Sequence, residues 1–196
     1  MYSTAVFPDR YRACGVRLLP LTLGHALLLD RLDNPFGSHS LLDPKAKLPT
    51  FGDLLLAVFI VSRPWRRAER QVDTPWVRWW TAWKLTTCRW SVARDSDSVM
   101  AWHKANWRCP RMRSIRTEDG TGPERGAELL NVLTVFACKH LNCTPQTALD
   151  LRVAQLQYDF ACHAEESGVV QIVDAEDDLL MRLAIQDEQE REAARV

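Results

Sequence analysis

Apolar residues recur at helical spacing along most of this chain, and that spacing predicts a series of helices. Hydroxyl residues and prolines mark many of the predicted ends, as in Thr22 before the first helix and Thr50 before the second. Residues 54–61 are apolar on every side, so we expect the second helix to lie at the centre of the core. The predicted helices are 23–32, 50–62, 75–90, 98–107, 124–141, 145–167 and a last one that follows Asp174.

Strand signals are weak by comparison. Residues 169–173 are the only strand-like run, and they fit either a short strand or a buried extended connection. The chain has 25 Leu and 20 Ala but only 15 Val and 4 Ile, and β-branched residues are the ones that favour strands. We therefore predict a mainly α fold with at most one short strand. It would be an irregular multi-helix bundle with a Trp-rich central helix and a C-terminal helical hairpin.

The charge changes sign along the chain although it sums to zero. Residues 1–117 carry 19 basic and 9 acidic side chains, whereas residues 118–196 carry 6 basic and 16 acidic ones. We predict a basic, Trp-rich helical region at 1–117, a Gly- and Pro-containing linker at 118–123, and an acidic helical region at 124–196. Because zero net charge lowers the repulsion between molecules, we also expect association with other copies or with a partner.

All eight tryptophans fall within residues 65–107, which is the most unusual feature of the sequence. At about 100° per residue, the tryptophans of the third predicted helix form one stripe along it. A second apolar face includes Val77 and Leu85, and a helix that is apolar on two sides is usually sandwiched between elements or between chains. The pattern leaves open whether the stripe is core or interface. The stripe consists of Trp76, Trp79, Trp80, Trp83 and Trp90.

The sequence shows no pattern typical of a catalytic or cofactor site. It lacks the motifs of serine hydrolases, zinc proteases and nucleotide-binding loops, so we predict a protein that is not an enzyme and holds no cofactor. Zinc is a weak alternative, because the nearby ligands lack the short spacings of tetrahedral sites. Those ligands are Cys138, His140, Cys143, Cys162 and His163.

Two kinds of targeting segment, a secretory signal and a membrane-spanning run, bear on where the protein is expected to be located. Its start has no basic segment followed by an apolar one, as a secretory signal would have. The longest apolar run, 54–61, is far shorter than the roughly 20 residues that cross a bilayer. We therefore expect a cytoplasmic protein with reduced cysteines and no membrane partner.

Two stretches of the chain resemble the tail assembly chaperones of bacteriophages and prophages. The first is Leu18-Leu19-Pro20-Leu21-Thr22-Leu23-Gly24-His25-Ala26-Leu27-Leu28-Leu29, followed downstream by the apolar helix and Ser62-Arg63-Pro64-Trp65. The second is Leu141-Asn142-Cys143-Thr144-Pro145-Gln146-Thr147-Ala148-Leu149-Asp150. The resemblance implies a small, helical, non-enzymatic protein of the host cytoplasm. It would bind the tape measure protein or other tail subunits before the tail polymerises.

Such a chaperone needs an apolar surface for its partner. We expect this surface to come from the tryptophan stripe or from the core helix near Phe59 and Trp65. The residues predicted to bind the partner are therefore Trp76, Trp79, Trp80, Trp83, Trp90, Phe59 and Trp65.

A basic protein that binds single-stranded nucleic acid, encoded by a mobile element, is the alternative function. Residues 63–116 carry 13 basic and 4 acidic side chains among the tryptophans, and these are the ingredients of a base-stacking surface. Stacking on bases needs exposed indoles, whereas the helical stripe favours contact with polypeptide. We therefore rank nucleic acid below a protein partner.

Overall fold

Most of the described chain is helical, as the abundance of Leu and Ala predicts. The computed structural model describes residues 11–38, 41, 49–87, 92–107, 110–114 and 128–173, and every statement below refers to these. The helices are α1 (Leu23–Arg31), α2 (Phe51–Val61), α3 (Trp65–Val72), α4 (Pro75–Thr87), α5 (Val92–Asn106), α6 (Leu129–His140), α7 (Pro145–Ala148) and α8 (Val153–Glu166). The strands are β1 (Arg12–Ala13), β2 (Val16–Arg17), β3 (Arg111–Ser114) and β4 (Val170–Val173).

The described residues divide into two compact units. The first contains the residues up to 107 together with 128–156, and the second contains 110–114 with 157–173. The predicted linker at 118–123 lies outside the described residues, so the division at that point stays a prediction. Trp90 and the predicted helix after Asp174 also lie outside them.

Helix α2 forms the centre of the first unit, as its continuous apolar sequence predicts. Leu55, Val58, Phe59 and Ile60 are fully buried, and the helix packs against α1, α3, α4 and α5. Its N-terminus carries the predicted capping box, in which the Thr50 side chain accepts a hydrogen bond from an amide inside the helix and the N3 carboxylate accepts one from the Thr50 amide. Seven of its eleven residues are buried, and this burial of apolar side chains stabilises the unit.

Helix α1 begins at the predicted cap, Thr22. The second half of its capping box is a histidine, His25, whose side chain is hydrogen-bonded to the Thr22 backbone. The His25 Nε2–H donates to the carbonyl of Arg63 at 2.8 Å, because a carbonyl can only accept. His25 is 2% exposed, and this burial lowers its pKa from the usual 6.5, against the opposing effects of the Arg63 carbonyl and Asp150. His25 is therefore a buried packing histidine.

One helix was not predicted, and two others begin at different residues from those predicted. Helix α3 was not predicted, since its mostly charged sequence shows no continuous apolar face. Helix α5 begins at Val92 rather than at Ser98, so residues 92–97 also belong to the helix. Helix α6 begins at Leu129, and its N-cap residue makes no side-chain capping hydrogen bond.

The long helix predicted at 145–167 is interrupted, and the predicted C-terminal hairpin therefore lacks one continuous arm. Residues between α7 and α8 pair with the chain before and within α1 instead. The Leu23 amide donates to Leu151, the Gly24 amide donates to Leu149, and the Val153 amide donates to Leu21, each at 2.9 Å. These tertiary hydrogen bonds replace the helical ones at the break, which periodicity alone does not reveal.

The strands correct the expectation of at most one. Strands β1 and β2 pair antiparallel around Cys14 and Gly15, both of which have positive φ, and such a two-residue turn suits a tight hairpin. In the second unit, β3 pairs antiparallel with β4 in the register Arg111↔Val173. The strand-like run at 169–173 is therefore a strand, and the sequence missed its partner because four residues give too short a pattern.

Candidate partner-binding surface

Helix α4 separates its tryptophans between two environments. Its inner face places Val77, Trp80 and Lys84 in the protein interior. The Trp80 ring meets the Phe59 ring of α2 edge to face, with the ring centroids 5.3 Å apart. The mixed apolar and aromatic inner face therefore attaches α4 to the core helix.

The outer face carries three exposed tryptophans, Trp76, Trp79 and Trp83, which we call the tryptophan ladder. Their exposed fractions are 48%, 56% and 46%. The spacing of three and four residues places them on one side of the helix. Adjacent rings are nearly parallel, with centroids 4.8 Å apart between Trp76 and Trp79 and 6.0 Å apart between Trp79 and Trp83. The ladder thus forms a continuous aromatic ridge along α4.

Lys84 lies beneath one end of the ladder, and sequence reasoning missed it. Its Nζ donates a 2.6 Å hydrogen bond to the carbonyl of Cys14 in the β1–β2 turn. The same ammonium group lies 4.6 Å from the Trp83 ring centroid and 5.7 Å from that of Trp80. Lys84 therefore ties α4 to the hairpin and places a positive charge against two indoles. A lysine in a Trp-rich helix gives no signal of this role, because lysines are usually exposed.

The ladder geometry restricts what the surface can bind. Stacking covers part of the faces between neighbouring rings, whereas the ring edges and outward rims stay open to solvent. Ring edges pack well against aliphatic side chains, whereas bases stack on open faces. The surface therefore suits apolar polypeptide better than nucleic-acid bases.

The other predicted partner-binding residues lie elsewhere. Phe59 and Trp80 are buried against each other, so the structure removes them from the predicted surface. The half-buried Trp65 packs its indole over Gly24, where an added Cβ would lie only 2.5 Å from the ring. Trp90 lies outside the described residues. Of the seven predicted residues, the structure brings together Trp76, Trp79 and Trp83 at the surface.

Asp150 is a second residue with a role that the sequence did not reveal. Its carboxylate accepts a hydrogen bond from the Trp65 indole N–H and forms an ion pair with Arg66 at 3.0 Å. These two bonds hold the start of α3 against the segment that follows α7. The sequence around Asp150, Ala-Leu-Asp after a proline turn, is too common to identify the residues that Asp150 binds.

Metal-ligating residues do not converge within the described ranges. No group of three or more His, Cys, Asp or Glu side chains there is arranged to hold a metal ion. His140, one of the weak zinc candidates, stacks on Phe136 with the ring centroids 5.3 Å apart. No helix in this part of the chain is both long and apolar enough to cross a bilayer.

Known proteins provide no template for this surface. No family model, no curated protein and no solved structure matches the chain. The structure does bring the stretch 141–150 into contact with the stretch 18–29 and with Trp65. The amide of Gly24 donates to the carbonyl of Leu149, and Trp65 donates to Asp150.

Proposed function

We propose that this protein is a non-enzymatic tail assembly chaperone of a bacteriophage or prophage. In this role it binds the tape measure protein in the host cytoplasm before the tail polymerises. The observation that carries the proposal is the tryptophan ladder, which leaves three large aromatic side chains about half exposed on one helix face. The contact between the two stretches that resemble this family lends further support.

The ladder meets the physical needs of such a chaperone. The resemblance implies a partner that is long, helical and apolar in places, and such a chain aggregates when its apolar residues stay exposed. Tryptophan gives a large contact area with few rotatable bonds, and truncating a central tryptophan at an interface typically costs 2 kcal/mol or more. A ridge of three therefore offers enough binding energy to shield a short apolar segment.

Co-expression with the tape measure protein of the same genome tests the proposal. We expect the wild-type chain to keep that protein soluble and to co-purify with it. The double variant Trp79→Ala/Trp83→Ala should lose this activity, because it removes two of the three ladder rings. Leu85→Ala is the matched control, since Leu85 is 48% exposed on the same helix but lies about 180° from Trp76 around its axis.

Two results would contradict the chaperone proposal. One is a tape measure protein that stays insoluble with the wild-type chain, and the other is equal rescue by the double variant. If the double variant is unfolded in isolation, the ladder is part of the core and its role as a binding surface is lost.

Binding of single-stranded nucleic acid is the competing function, and the exposed indoles next to arginines are what favour it. Tryptophan fluorescence with an oligonucleotide at low salt separates the two. We expect no quenching, because the stacking between the ladder rings limits the faces that are open to a base. Quenching that weakens with salt and disappears in Trp79→Ala/Trp83→Ala would support nucleic-acid binding instead.

A further inference from the structure

Strand β4 of the second unit has the composition of an unprotected sheet edge. Its sequence is Val-Gln-Ile-Val, with three β-branched residues, no charged residue and no proline. Edge strands commonly avoid pairing with other molecules through charged side chains, prolines or bulges. The β3–β4 ladder runs through four consecutive residue pairs without a bulge. Protection of the outer edge of β4 therefore has to come from outside the strand.

The amides of β4 point alternately toward β3 and away from it. In an antiparallel ladder, the N–H and C=O of one residue point to the same side, and those of the next residue point to the opposite side. The Ile172 amide donates a 2.8 Å hydrogen bond to the Glu165 carboxylate of α8, so it faces away from β3. Val170 lies two residues earlier in the same ladder and faces the same way. The outer edge of β4 therefore has two outward amides, and Glu165 occupies one of them.

The end of α8 places Glu165 opposite Ile172. The amide of Gly168 donates to the carbonyl of Glu165 at 2.8 Å, and the amide of Val169 donates to that of Ala164 at 3.1 Å. These two bonds form the Schellman arrangement, in which the residue just past the helix end has a positive φ. Gly168 has a φ of 67°, which glycine adopts without strain. The chain thus turns back sharply into β4, and the Glu165 side chain reaches an amide seven residues away.

The Glu165 contact opposes an added strand in two ways. It occupies a donor that the new strand needs, and a hydrogen bond to a carboxylate is stronger than the neutral amide–carbonyl bond that would replace it. It also places a charge at an edge strand without charged residues, and burying that charge in a strand pair costs free energy. Glu165 is exposed, and within the described residues it forms no ion pair that would neutralise this charge.

We propose that the Glu165 carboxylate is an autoinhibitory contact that prevents β4 from pairing with the β4 strand of a second copy. Two identical strands pair antiparallel about a two-fold axis, each supplying the groups that the other lacks. Strand β4 brings no charged residue to such a pair, so like charges do not oppose it. Removal of Glu165 from Ile172 therefore allows a continuous sheet in the order β3-β4-β4-β3 across two copies. This inference does not depend on the function proposed above.

Analytical ultracentrifugation of the full-length Glu165→Ala variant tests the inference. The variant lacks the acceptor, so we expect an association that grows with protein concentration and exceeds that of the wild type. Glu166→Ala is the matched control, because Glu166 is also exposed at the end of α8 but binds no β4 amide within the described residues. Equal sedimentation of the two variants and the wild type would overturn the inference.

A second substitution locates the association on β4. Val170→Pro removes an outward amide that β3 does not use, and edge strands tolerate proline where the amide faces solvent. When added to Glu165→Ala, it should return the chain to the association state of the wild type. An association that persists in the double variant would place the contact elsewhere on the protein and overturn the inference.

Amide hydrogen exchange tests the contact in the wild-type chain, so it does not depend on how the variants fold. We expect the Ile172 amide to exchange about tenfold more slowly than the Val170 amide, because of the two only Ile172 is bound by Glu165. In Glu165→Ala at low concentration the two rates should become similar. At high concentration the added strand should protect both amides. Equal exchange of the two amides in the wild type would contradict the role of Glu165.

Discussion

Helices α2 and α4 are both rich in large apolar side chains, but they place them in opposite environments. The apolar residues of α2 are buried on nearly every side, and Phe59 and Ile60 are fully shielded from solvent. Helix α4 buries only its inner face and leaves the ladder about half exposed. Burial of α2 holds the fold together, whereas the ladder gives up part of its possible burial energy. The difference separates residues that the fold needs from residues that remain available to a partner.

Truncation within α2 should have the largest effect on stability. Phe59 contacts the Trp80 ring and lies beneath the Arg63 guanidinium, whose carbon is 3.6 Å from the ring centroid. Phe59→Ala should lower the free energy of unfolding by about 3–5 kcal/mol, because it leaves a cavity at the centre of the core. Urea denaturation measures this loss. A change below about 1 kcal/mol would break the comparison, since α2 would then matter no more than the ladder.

A substitution at Gly24 tests the packing of Trp65, whose burial lies between that of Trp80 and that of the ladder. An added Cβ would lie 2.5 Å from the indole, so Gly24→Ala should lower the free energy of unfolding by about 1–3 kcal/mol. The matched control is Gly52→Ala in α2, where the nearest atom, the Thr50 Oγ1, is 3.6 Å away. That control should be neutral or stabilising, because alanine favours helix more than glycine does. Equal losses in both variants would show that the Trp65 contact is not tight.

Acid should lower the free energy of unfolding through His25. The side chain of His25 is hydrogen-bonded to the carbonyl of Arg63, just after α2. Burial lowers the pKa of His25 in the folded chain below its ordinary value of 6.5. As pH falls through 6.5, the unfolded chain gains a proton that the folded chain does not, so stability falls by up to about 1.4 kcal/mol per pH unit.

Denaturation midpoints from neutral pH to pH 5 test this dependence. His25→Gln keeps an N–H donor for the carbonyl but cannot titrate, so its midpoint should change less with pH. Asp159 remains in both proteins, and the pKa of this carboxyl is raised by burial, which gives the opposite sign. The same slope in both proteins would contradict the assignment to His25.

The sequence predicts much of the first unit because its local signals agree with one another. Continuous apolar residues and the capping residue Thr50 correctly define α2, and Thr22 correctly begins α1. Of the predicted stripe in α4, Trp76, Trp79 and Trp83 share one exposed face, whereas Trp80 is buried. Periodicity places several tryptophans on one broad face, but it does not show which part of that face a neighbouring helix covers. Trp80 therefore joins the core through Phe59, while Trp79 stays exposed, although the two are adjacent in sequence.

The remaining features depend on contacts that are distant in sequence. The break between α7 and α8 arises because Leu149 and Leu151 bind amides of α1. Lys84 binds a carbonyl 70 residues away, and Asp150 binds Trp65 from 85 residues away. A single sequence carries no periodic signal for such pairs, so neither role was predicted.

The smallest expected effect provides the most direct test of the central claim, that the ladder is a surface and not part of the core. The measurement is the free energy of unfolding of isolated Trp79→Ala/Trp83→Ala by urea denaturation. Both indoles are about half exposed, and alanine favours helix, so we predict a loss of no more than about 1.5 kcal/mol with the helical content unchanged. A loss similar to that of Phe59→Ala, or a chain that no longer folds, would contradict the account.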